Sequence, residues 1–145
     1  MTQQAGQSRF AFGDGAPVEL VRRAYRAFAR RDTKELRRLC DRSLEFRPVD
    51  GLGLAGDTLH SLDAACAWLE QRDASGYHLS IRLRTLEQVS PDSVLGVGVV
   101  SERGRADRGY AATVAWVWRV RGGRIFSVYG YPSEADAKRA LNAAA

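Results

Sequence analysis

The sequence predicts an α+β domain in which one curved antiparallel sheet is covered by helices on one face. Three observations carry that prediction. Apolar residues recur at helical spacing through the first half of the chain, then switch to strict alternation after Ser75-Gly76. The second half holds four alternating runs joined by short turn signals, the pattern of an antiparallel meander. Apolar residues make up 45% of the 145 and charged residues 27%, a balance that builds a core and argues against disorder.

Each element has a local reason. Met1 to Gly15 is polar and glycine-rich and reads as a mobile tail, without the apolar stretch of an export signal; the cytoplasm is the expected location. Residues 16–145 then form one domain. Pro17 opens a helix where its missing N–H costs nothing, and Val18, Val21, Tyr25 and Phe28 recur along one face to about Arg31. Leu20, Ala24 and Ala27 widen that stripe. Asp32 can cap a second helix from Thr33 to about Leu39. Ser43 to Arg47 reads as a short strand, stopped by Pro48 and the Asp50-Gly51 turn, and Asp50 to Gly56 as a loop. Ser61 can cap a third helix with Leu62, Ala65, Cys66 and Leu69 on one face and Trp68 beside it.

In the second half, Tyr77, Leu79, Ile81 and Leu83 alternate with polar residues as a half-buried strand. Pro91-Asp92 makes a turn into a strand from Val94 to Ser101, where Gly96 and Gly98 mark a bend, a bulge or a close backbone approach. The charged run Glu102 to Arg108 is a hairpin tip. Tyr110 to Arg121 places Ala112, Val114, Trp116, Trp118 and Val120 on one face. Gly122-Gly123 signals a tight hairpin into the last strand, Arg124 to Tyr131, and Pro132-Ser133 begins a short C-terminal helix.

Composition narrows the function classes. No apolar run is long enough to span a bilayer. Cys40 and Cys66 form no Cys-x-x-Cys pair and are expected as buried thiols; with two histidines far apart, no metal site is expected. The net charge of +5 rests on arginine, eight of them between Arg22 and Arg42. No aromatic residues interleave there as a stacking platform needs, so nucleic acid is not an expected partner.

Several segments resemble a known family. Val21 to Asp32 (VRRAYRAFARRD) resembles the opening helix of SnoaL-like proteins, a branch of the nuclear transport factor 2-like superfamily. Asp41 to Asp50 (DRSLEFRPVD) is similar to that family's first strand. Trp116 to Ile125 (WVWRVRGGRI) is similar to its last hairpin, and Tyr131 with the following helix to its tail. The resemblance implies a cone-shaped fold of the ketosteroid isomerase and polyketide cyclase kind: a four-strand meander plus one short strand, strongly bent around three helices, with a pocket at one end. It also implies a homodimer through the outer sheet face. Members range from isomerases, cyclases, hydrolases and dehydratases to non-catalytic binding modules, so the fold leaves the function open.

The family's catalytic sets are not reproduced. Where ketosteroid isomerase carries its base, this chain has Arg47. The second acid falls near Trp116, and the helical tyrosine near Ala24, with Tyr25 one place along and about 100° round the helix. Of the epoxide-hydrolase set, Arg105 and Asp107 have suitable types but fall at the predicted hairpin tip. The remaining candidates are Glu45, Arg47, Asp50 and His60 as acid/base or anion-holding groups. Alternation lets Glu45 and Arg47 face inward together, or Leu44 and Phe46 instead; the resemblance favours the first. Ala24, Phe28, Trp116, Trp118, Phe126 and Val128 are the expected pocket lining, and Tyr129 and Tyr131 belong to the outer face. Two functions lead as expectations: a small-molecule-binding domain for a hydrophobic substrate with cofactor-independent acid/base chemistry, or a non-catalytic dimeric binding or assembly module; nucleic-acid binding through the arginine-rich first helices is a distant third.

Overall fold

The computed structural model describes residues 16–50, 53–103 and 109–144. The tail 1–15 and the tip residues Arg105 and Asp107 lie outside the described residues. The elements are α1 (Ala16–Ala29), α2 (Thr33–Leu39), β1 (Cys40–Arg47), α3 (Leu62–Ala74), β2 (His78–Ser90), β3 (Ser93–Arg103), β4 (Gly109–Arg121), β5 (Arg124–Tyr131) and α4 (Glu134–Ala144).

Hairpin-linked β2 to β5 form the antiparallel meander, and β1 adds to β5 in the order β1-β5-β4-β3-β2. The β1–β5 pairing is parallel, so the sheet is mixed. No hairpin joins these two strands, and nothing in the connectivity forces them antiparallel. The inner face, with Val94, Val100, Val114, Trp116, Trp118, Ile125 and Val128, packs on Val21, Ala24 and Tyr25 of α1. Across the sheet, Leu95, Val97, Ala115 and Val117 pack on Ala137 and Leu141 of α4. The chain's own C-terminal helix therefore covers part of the outer face on which the resemblance places a homodimer contact.

The helix starts are set locally. The Asp32 side chain accepts a hydrogen bond from the Glu35 N–H at 3.1 Å, and Ser61 Oγ accepts from the Ala64 N–H at 3.0 Å. Each satisfies an N–H that the first helical turn leaves unpaired. Asp32→Ala or Ser61→Ala is expected to lower stability by about 1 kcal/mol, seen as a lower urea midpoint at unchanged m-value. Between α1 and α2, Arg31 takes the left-handed conformation (φ 55°) usual for glycine at a helix end. Its guanidinium donates to Asp73, Leu79 O and Phe28 O, tying the ends of α1 and α3 to the start of β2.

Bulges in β2 and β5 reset the alternation. In β2, Leu83 pairs with Gly98 and Thr85 with Val97, so Arg84 is extra and Leu86 returns to the inner face. The strand thus runs on to Ser90, past the point where the sequence period breaks. Gly98 sits opposite this bulge, where a Cβ would lie 2.5 Å from Arg82 O. In β5, Arg119 pairs with Ser127 and Val120 with Ile125, leaving Phe126 unpaired.

Candidate functional site

Between the inner sheet face and the helices lies a cavity of about 90 Å³, several times what one water needs. α1 contributes Ala24, Tyr25 and Phe28; β4 contributes Trp116 and Trp118; β5 contributes Val128. The opposite wall comes from β1 (Cys40, Leu44, Phe46), the following loop (Pro48, Val49) and α3, which supplies Leu62, Cys66 and Trp68. Phe46 and Trp68 meet edge-on at 5.6 Å. Among the described residues lining the cavity, none is an acid, a histidine, a lysine or an arginine.

The bulge corrects one expected lining residue. Simple alternation places Phe126 beside Val128, but the extra residue puts Ile125 and Val128 on the same face instead. Phe126 does not line the cavity and lies beneath the Arg121 guanidinium, 4.2 Å from its ring centre. Tyr25, which spacing put a step away from the family's tyrosine, reaches the cavity together with Ala24.

The first strand also resolves against the inward reading. Leu44 and Phe46 face the cavity, and Glu45 and Arg47 occupy the other side of β1. Arg47 donates through Nε and Nη2 to Gly130 O, its guanidinium 5.2 and 4.7 Å from the Tyr129 and Tyr131 ring centres. Glu45 accepts from the Tyr129 hydroxyl at 2.8 Å, and His60 Nδ1 lies 3.8 Å from its other oxygen, with the imidazole 73% exposed. Three of the four sequence candidates thus gather on the outer side of the sheet edge. Asp50 shapes its own loop, its carboxylate accepting from the Leu54 N–H at 3.0 Å.

Polar atoms inside the cavity are few. The Trp118 indole N–H donates to the Tyr25 hydroxyl at 3.0 Å, the two rings 4.8 Å apart, and Trp116 meets Tyr25 edge-on at 5.9 Å. Burial pushes the Tyr25 phenol well above its usual range, so it stays protonated at neutral pH. Cys40 and Cys66 are free thiols, and burial raises both, Cys40 to about 12. Cys40 is expected to resist iodoacetamide at pH 8 in the native protein and to label in denaturant, read by mass spectrometry. The unfolded thiol ionises near its ordinary 9.0 and the folded one only near 12. Stability from this group is therefore complete below pH 9 and falls as pH rises through that window, by up to about 1.4 kcal/mol per pH unit. No helix among the described residues is long and apolar enough to cross a membrane, and they hold no cluster of three metal-ligating side chains.

An α+β cone of one curved mixed sheet over a long first helix defines the nuclear transport factor 2-like class. Within it, residues 21–128 match the SnoaL-like domain, and the chain belongs to that family. Among solved structures, it is similar to an NTF2-like protein of Burkholderia thailandensis E264, at 25% identity and TM-score 0.69, covering 86% of this chain and 96% of the other. It shares the fold of TerC, co-crystallised with polyporic acid, at 16% identity and TM-score 0.69, over 87% and 97% of the two chains. An LEH-like epoxide hydrolase of M. tuberculosis also shares it, at 12% identity and TM-score 0.65, over 80% and 81%. No functionally curated protein matches the sequence significantly.

Proposed function

We propose that this SnoaL-like chain binds a small, neutral, largely apolar molecule in the cavity, without a cofactor, chiefly through ring and aliphatic contacts. The lining supports this reading: aromatic and aliphatic side chains surround a single hydroxyl, and no charged group lies among them. A charged ligand would lose its hydration there without a counter-charge, which costs several kcal/mol. Glu45, Arg47, Asp50 and His60 lie outside the lining, so binding in the cavity draws on none of them. The co-crystal of TerC with polyporic acid shows that a protein of this fold can be crystallised with an organic molecule.

All three tryptophans of the chain, Trp68, Trp116 and Trp118, line the cavity, so intrinsic fluorescence reports its occupancy directly. Titration with 1-indanone, a neutral bicyclic ketone, is expected to give a saturable change with a Kd on the order of 0.1–1 mM. Benzoate should give none. A linear, non-saturating response to the ketone overturns the reading.

A further inference from the structure

The Tyr25 hydroxyl is held from two sides by elements far from α1 in sequence. On one side, Trp118 Nε1 donates to it at 3.0 Å, so one lone pair of the oxygen is engaged. On the other side lies Gly96 of β3. A Cβ at that position would stand 2.5 Å from Tyr25 Oη and 3.4 Å from its Cζ, so any side chain there displaces the phenol. Tyr25 is 8% exposed, and its own proton has no acceptor among the described residues. A buried hydroxyl that accepts but does not donate is an incomplete pair.

We propose that Gly96 and Trp118 are positioning residues that make Tyr25 present its proton, and not its lone pair, to the cavity. The site then selects ligands with a neutral acceptor oxygen, such as a ketone, over isosteric hydrocarbons and over ligands that offer only an N–H. The inference rests on the ligand-binding reading above and adds to it which polar group the ligand carries and what enforces the choice. The physical basis is directional. An indole N–H can only donate, so the phenol oxygen facing it must accept. The accepted bond also polarises the O–H and strengthens it as a donor. Gly96 supplies the space that lets the oxygen reach Trp118.

Three bicyclic molecules of similar size separate the possibilities by calorimetric titration: 1-indanone (acceptor), indane (neither) and indole (N–H donor). The native chain is expected to prefer indanone to both others by roughly tenfold, the worth of one neutral hydrogen bond. Trp118→Phe keeps a ring but removes the N–H, which frees the hydroxyl to turn. The indanone-to-indole ratio is then expected to fall toward parity. Gly96→Ala should lower the indanone-to-indane ratio by displacing the oxygen, and Tyr25→Phe should abolish it. Each variant is judged on its own ratio, which a merely structural loss of affinity would leave in place. Trp118→Phe carries the test if Gly96→Ala folds poorly. Binding of all three molecules with equal affinity overturns the positioning inference and leaves the binding reading standing, as does an unchanged ratio in Trp118→Phe. Failure of all three to bind overturns both.

Discussion

Trp116→Ala is expected to destabilise the chain by about 3–5 kcal/mol, a large part of the stability of a domain this size. Trp116 is 4% exposed, projects from the centre of β4, and meets Tyr25 edge-on at 5.9 Å. Its removal takes away buried apolar area and the aromatic pair, and enlarges a cavity that already exists. The neighbouring wall is built from strand-borne side chains whose backbones are fixed by pairing on both sides, β3 at Gly96 and β5 at Gly130, so collapse into the space is limited. Urea unfolding followed by circular dichroism measures the loss. A cost under about 1 kcal/mol would mean that the wall is not rigid and repacks freely.

Gly130→Ala is expected to cost about 3 kcal/mol, at the upper end of overpacking in a well-filled core. Gly130 lies opposite Trp116 on the inner face, and a Cβ there would overlap Val49 Cγ2 and stand 3.0 Å from Arg47 O. Neither neighbour yields easily. Val49 is 2% exposed and β-branched, with restricted χ1, and the Arg47 carbonyl belongs to a strand paired with β5. Adding Val49→Ala should recover part of the loss, because it removes the side-chain overlap and leaves the carbonyl contact. A double-mutant cycle is expected to give a coupling of more than about 1 kcal/mol between the two positions. Strict additivity would show that the strain lies in the backbone contact alone.

The two halves of the candidate site differ in how far they could be read from the residues. Trp116, Trp118, Val128, Ala24 and Phe28 line the cavity, and each is visible from the periodicity of its own element, β4, β5 or α1. Tyr25 lies in the same helical stripe, yet its role depends on meeting Trp118 and a vacancy at Gly96, each from another part of the chain. Gly96 carried the one available signal, a glycine inside a strand pattern, which marks a close approach without saying of what. Glu45 and Arg47 share a face by alternation, but alternation alone does not say which face is inside. The Cys40 and Cys66 thiols line the cavity because α2 runs directly into β1 and α3 packs against β1, neither of which composition reveals.

The sequence by itself determined the order of elements, the capped starts of α2 and α3, the tight turn at Gly122-Gly123 and the tryptophan-bearing face of β4. These depend on neighbours within a few residues, where periodicity and capping are decided. The tertiary structure alone decided that Phe126 leaves the cavity, that Leu86 joins the inner face, that β1 runs parallel to β5 with its charges outward, and that the Tyr25 hydroxyl accepts from Trp118. The first three follow from strand pairing, because one bulged residue reverses the facing of those beyond it and a bulge exists only relative to a partner strand; the fourth follows from the packing of α1 on β4.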